Sequence, residues 1–164
     1  MKRFNSKGFP FHRGRRLRVS SNFRDLVSET NLKTNDLVMP YFIREDNDRE
    51  AINNKFGLKR FSIDELIREL EKTVKFGIVS IALFPKVEAE KKTNDANESF
   101  NENNLISRAL KKINKEFPNL SVICDLALDP YTLSGHDGIT NDKGNIDNDI
   151  TVQILVKMSL SLAS

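Results

Sequence analysis

The chain has 164 residues, 38% hydrophobic and 30% charged, with one cysteine and a formal net charge of +3. That length can bury a core of its own, and the composition lies outside the disordered range. No apolar stretch reaches the roughly 18–20 residues of a membrane span, no secretory signal follows the basic start, and a lone thiol excludes an internal disulfide, so a reducing, cytoplasmic setting is expected.

The charge is unevenly spread. Residues 1–18 hold seven basic residues (Lys2, Arg3, Lys7, Arg13, Arg15, Arg16 and Arg18) and no acidic one, which leaves 19 basic against 23 acidic in the rest. Phe4, Phe9 and Phe11 are interleaved with them. Such a tail suits nucleic acid, an arm docking on acidic surface, or a transit peptide. Without a recognisable nucleic-acid fold, a solvated or docking arm over residues 1–30 is the stronger reading. Residues 31–164 then form the folded domain.

Within that order, Phe23–Glu29 reads as a helical turn or two, and Leu37–Ile43 as a strand rich in β-branched and aromatic residues. Pro40 conflicts with a central strand, because it lacks an N–H for the ladder. Residues 44–61 read as a polar connection. Ser62-Ile63-Asp64-Glu65 is a capping box, opening a helix whose apolar face is Ile63, Leu66, Ile67, Leu70 and Val74 and whose end is marked by Gly77. Ile78–Phe84 is the second strand. The loop from Lys86 to Asn101 is dense in Glu, Lys and Asn, so Lys91 and Lys92 are expected to be solvated. Asn101 is placed to cap the next helix, with Leu105, Ile106, Ala109, Leu110 and Ile113 on one face, ended by Pro118.

Leu120–Cys124 is a short apolar run of the kind buried on both faces of a sheet. Past it come Asp125, Asp129, His136 and Asp137 among Pro130, Gly135 and Gly138. Polar groups just beyond the carboxyl end of a buried strand are where α/β folds place their chemistry; the same residues are also the commonest turn formers. Asn148 or Asp149 starts a last helix, with Val152, Leu155, Val156, Leu160 and Ala163 on one side.

Strand followed by helix, three times, predicts parallel strands joined by right-handed crossovers. Strand starts at 37, 78 and 120 are spaced so that eight units need roughly 330 residues, inside the range of a (β/α)₈ barrel. Three units are the N-terminal part of such a barrel, cut short; the alternative is a small doubly wound domain with unprotected apolar edges, which natural sheets avoid.

The stretch DLALDPYTLSGHDG, Asp125–Gly138, resembles the motif of the δ-aminolevulinic acid dehydratase (porphobilinogen synthase) family, in the version with aspartates where other members carry cysteines. LRVSSNFRDLVSET, DLVMPYFI, RFSIDELI, GIVSIALFP and ISRALKKINKEFPNLSVICD resemble the same family in the same order. The likeness runs from about Arg15 to the end and lacks the family's second half. One local departure is Lys55-Phe56-Gly57, where relatives read Met-Pro-Gly.

The resemblance implies a lyase of tetrapyrrole (heme) biosynthesis that condenses two molecules of 5-aminolevulinate to porphobilinogen. It implies two Schiff-base lysines, neither matched in this chain, with Asp125 beside one of them to orient an amine and help move protons. The zinc cysteines of other relatives fall on Ala127, Asp129 and Asp137. One of these has no ligand and two are hard carboxylates, so zinc is not expected in this loop; magnesium is, at a separate site, with Asp129 and Asp137 the metal-position residues. His136 is expected to be a loop hydrogen-bonder. The basic arm is implied to join subunits of a homo-oligomer, nucleic acid being the lesser reading. A chain with these residues alone is expected to be an inactive fragment. A non-catalytic interaction fragment using the basic arm is the alternative.

Overall fold

The computed structural model describes residues 14–46 and 59–163. The arm residues before Gly14 and the Lys55–Gly57 departure lie outside the described residues. The chain divides into a unit ending at Lys33 and one beginning at Thr34.

In the first unit a 3₁₀ turn, Arg16–Arg18, precedes helix α1, Ser21–Leu26. The Ser20 hydroxyl accepts from the Phe23 amide at 3.3 Å, which sets the start of α1 two residues before the predicted one. The Arg24 guanidinium donates to the Arg18 carbonyl at 3.3 Å. No side chain of either element is buried.

The second unit is built on a parallel sheet of β1 (Val38–Ile43), β2 (Arg60–Phe61), β3 (Ser80–Pro85) and β4 (Ser121–Cys124) in the order β2-β1-β3-β4. Helices α2 (Ile63–Lys75), α3 (Leu105–Glu116) and α4 (Asn148–Ala163) complete it. The three predicted strands are present, and β2 is an addition inside what reads as a polar connection. It is only two residues long, too short to give a periodic signal. β2 pairs with β1 at Phe42 and Ile43, so among the described residues Pro40 sits where β1 has a single neighbour, β3. That placement removes the conflict over its missing N–H.

Alternation along each strand sends Tyr41, Ile43, Ile81 and Leu83 into a core with Leu66 and Leu70 of α2 and Ile106, Ala109 and Ile113 of α3. Burying each of the larger aliphatic side chains contributes about 1.5–3 kcal/mol. The Ser62–Glu65 capping box is formed in both directions, with the Ser62 amide donating to Glu65 Oε2 at 2.9 Å. At the other end Gly77 takes φ +80°, and an added Cβ would lie 3.0 Å from Thr34 Oγ1. Tyr41 and Thr73 of α2 share a 2.5 Å hydroxyl–hydroxyl hydrogen bond inside the core, and burial raises the Tyr41 pKa.

Three expectations are corrected. α3 is capped by Asn104, not Asn101: its Oδ1 accepts from the Ser107 amide at 2.8 Å. β4 is covered on one face only, with Val122 and Cys124 on the core and Ile123 half exposed on the other side. α4 buries Thr151, Ile154 and Met158, while Val152, Val156 and Leu160 are exposed. Apolar residues surround most of that helix, so periodicity alone could not choose its buried side.

Candidate active site

The parallel strands all end at one side of the sheet, and a cleft of about 480 Å³ opens there. Phe42 and Phe84, at the ends of β1 and β3, stack at 5.4 Å between centroids and form its apolar floor. They occupy the sheet face opposite the helices, as the alternation of Tyr41 and Leu83 requires. Asp125, one residue past β4, lines the cleft together with Ala127, Asp129, Arg60, Lys86 and Lys92.

The 125–138 loop is folded by its own polar groups. The Leu128 amide donates to Asp137 Oδ1 at 2.5 Å, the Thr132 hydroxyl donates to the His136 carbonyl at 2.8 Å, and the Tyr131 amide donates to the Leu128 carbonyl at 2.9 Å. Leu128 and Tyr131 are thereby driven into a second core with Ala96, Ile139, Ile154 and Met158. Gly135 takes φ +71°, and Gly138 passes so close to Ile146 that a Cβ would sit 2.8 Å from its methyl.

The structure therefore brings Asp125 and Asp129 onto one cleft and gives Asp137 different work. Asp137 holds the loop closed through the Leu128 amide and does not line the cleft. His136 takes part through its backbone amide and carbonyl, its imidazole lying on the exposed surface. At the positions of the relatives' zinc cysteines Ala127 offers no donor and one Asp137 oxygen is engaged by the Leu128 amide, and among the described residues no three His, Cys, Asp or Glu side chains converge. Burial raises the pKa of the Cys124 thiol to about 11, so the free thiol stays protonated at neutral pH.

The Lys86–Asn101 loop is not the solvated segment its composition suggests. Thr93 pairs with Thr132, its amide donating to the Tyr131 carbonyl at 3.1 Å and its carbonyl accepting from the Leu133 amide at 3.2 Å. Ala96 and Ser99 are fully buried. Lys91 is bonded to Glu45 at 2.8 Å and lies 3.7 Å from Glu98, and Arg108 of α3 reaches the same Glu45 carboxylate at 2.6 and 2.7 Å. Glu45 thus joins the loop after β1, the loop after β3, and α3. Sequence reading missed this node because its members lie far apart in the chain.

Partial burial opposes ionisation of Glu45, but Arg108 and Lys91 outweigh it and lower its pKa. The Lys91 pKa is raised, chiefly by its bond to Glu45. A lowered carboxylate contributes stability above its unfolded value of 4.5 and loses it as the pH falls through the folded one. A raised amine contributes below 10.5 and loses it as the pH rises. Glu45→Gln should accordingly lower stability by a constant amount, on the order of 1 kcal/mol, from about pH 5 to 9. In urea titrations the gap should narrow as the pH falls below 4.5 and through the lowered folded-state value; a gap that does not narrow at all with acid would show that charge is not its source.

The sequence profile of the delta-aminolevulinic acid dehydratase family matches residues 11–164. The chain is 43% identical over 149 residues to delta-aminolevulinic acid dehydratase of Bradyrhizobium diazoefficiens, covering 90% of this chain and 42% of that one. It is 38% identical over 143 residues to the Chlamydia pneumoniae enzyme, covering 87% and 43%. The crystal structure of the Toxoplasma gondii ME49 enzyme, in complex with the reaction product porphobilinogen, superposes with a TM-score of 0.88 at 37% identity, over 93% of this chain and 44% of that chain. The chain spans less than half the length of these relatives, and its sheet corresponds to part of their barrel. A family match over nearly all of its residues and a close structural match agree: this chain belongs to the delta-aminolevulinic acid dehydratase family.

Proposed function

We propose that this chain supplies one wall of a porphobilinogen-forming site, in a lyase that condenses two 5-aminolevulinate molecules with loss of water. The single observation behind this reading is the placement of Asp125, at the end of β4 and over the Phe42–Phe84 floor, in a fold that matches a porphobilinogen-bound enzyme. Asp125 makes no hydrogen bond or ion pair with any described residue, so its carboxylate is free to take an ammonium. Held there, it orients the amine and accepts or returns a proton as the nitrogen changes charge. The aromatic floor covers the substrate's carbon chain and keeps water from one side.

Asp129 lines the same cleft one turn further along the loop, and Asp137 fixes the loop that carries both. Magnesium, the metal the family likeness favours over zinc, is assigned to none of these residues. The amines that form Schiff bases are assigned outside residues 1–164, since the cleft's lysines match no reactive lysine of the family.

Titrating the protein with 5-aminolevulinate, followed by amide NMR shifts, should move resonances of residues 125–131, Phe42 and Phe84. Asp125→Asn should weaken that binding about tenfold, the loss of one charge-assisted bond. Borohydride added to the same mixture should leave every lysine of this chain unmodified. Shifts confined to other parts of the fold would overturn the wall assignment, and a stoichiometric reduced adduct would overturn the placement of the amines.

A further inference from the structure

We propose that the loop carrying Asp125 is anchored by one internal water molecule, bound in a second, smaller cavity between the Tyr131 hydroxyl, the Glu98 carboxylate and the Lys91 ammonium. The site is independent of which compound the cleft takes.

Pro85, Lys86 and Val87 border both the cleft and a cavity of about 10 Å³. That is the space a single water needs, on the order of 10–15 Å³. Tyr131, Glu98, Lys91, Glu45 and Asn104 also line it. Asn104 and Glu45 are already bonded, to the α3 cap and to Lys91 and Arg108. The others keep bonding capacity that no described residue takes up. Tyr131 is 3% exposed, and its hydroxyl makes no hydrogen bond with any described residue. A buried phenol left without a partner is unfavourable. Glu98 accepts from the Asn101 side chain at Oε2, 2.8 Å away, but its Oε1 lies 3.7 Å from Lys91 Nζ, too far for a direct hydrogen bond. Lys91 in turn gives one proton to Glu45 at 2.8 Å and has others to offer.

A free hydroxyl, a carboxylate oxygen short of a donor and an ammonium just out of its reach call for a small neutral group that both donates and accepts. A cation would be opposed by Lys91, an anion by Glu98 and Glu45, and nothing larger than water fits the space. A water there donates to Glu98 Oε1 and accepts from Tyr131 or Lys91, at little cost in entropy. The Tyr131 carbonyl already accepts from the Thr93 amide at 3.1 Å. The water would hold the other end of the same residue, so that the loop after β3 grips the loop of Asp125 and Asp129 at backbone and side chain alike. Tyr131 is thus a positioning residue.

A crystal structure of the unmodified chain should show an ordered water within about 3.2 Å of both Tyr131 Oη and Glu98 Oε1. A direct bond between those two atoms, with no water beside them, would overturn the site without needing any variant. Tyr131→Phe deletes the hydroxyl alone, and the sign of its effect in urea titrations is decisive. Loss of a bridged bond should lower the folding equilibrium constant about two- to fivefold. A hydroxyl without a partner would leave the phenylalanine variant as stable or more so, which would overturn the proposal. In a Glu98→Ala background Tyr131→Phe should cost nothing further, since the bridge has already gone; additive losses would show that the two residues are not bridged. Amide hydrogen exchange reads the positioning role. In Tyr131→Phe the Thr93 and Leu133 amides, which tie the two loops, should speed up by more than the global loss of stability, and those of α2 by no more than it. Equal acceleration throughout would overturn that role.

Discussion

Replacing Asn104 by alanine should destabilise the protein by about 2–4 kcal/mol, the sum of a lost helix cap and of the buried Ser99 carbonyl losing its side-chain partner. The residue is 1% exposed, and both its amide oxygen and its amide nitrogen are bonded inward. Its oxygen accepts from the Ser107 amide, and its nitrogen donates to the carbonyls of Glu98 and Ser99 at 3.1 and 3.3 Å. One residue thus starts α3 and fastens the last turn of the preceding loop. Asn104→Asp keeps the acceptor and loses the donor, so it should fall between the two. Asn101→Ala, on the exposed side of the same loop, should cost less than about 1 kcal/mol. Urea denaturation of the three variants gives the order, and a larger cost at Asn101 than at Asn104 would refute it.

The second large effect is expected on α4. Ile154→Ala should cost about 2–4 kcal/mol, because Ile154 is 6% exposed in the core that holds Leu128, Tyr131 and Met158. Val156→Ala, two residues on and 52% exposed, should change stability by less than about 0.5 kcal/mol. Thermal or urea unfolding of the pair decides which side of the helix is packed. The reverse order would mean that the apolar residues picked out by spacing alone, Val152, Val156 and Leu160, face the core after all.

These two pairs show what was legible in the sequence and what was not. Ser62 and Glu65 specify the start of α2 because a capping box needs only residues three apart, and its partners are fixed by local geometry. The parallel order and the three longer strands were legible for a similar reason: apolar runs and their regular spacing are properties of the sequence itself. Asn101 and Asn104 are both able to cap a helix, and the choice fell to burial, which the sequence does not display. On α4 the apolar residues are too many for a moment to single out a face. The site was half legible. The position of Asp125 follows from the strand before it, whereas Asp137 as a latch on the Leu128 amide, and Lys92 at the cleft, depend on how two loops meet. Lys91 and Lys92 read alike in sequence and differ only through Glu45, which lies 46 residues from the first of them.

That distance along the chain has a consequence for the order of events in folding. The bonds from Glu45 to Lys91 and Arg108 close loops of 46 and 63 residues. A single pair of charges at a partly exposed site is too weak to meet the entropy of closing such loops by itself. The bonds must wait until β1 and β3 have paired and α3 has settled against them. They therefore belong to the last contacts made and the first that unfolding has to break. An interaction of that kind does little to hasten assembly and acts instead as a brake on the way out, lengthening the time for which the mouth of the cleft stays in one piece.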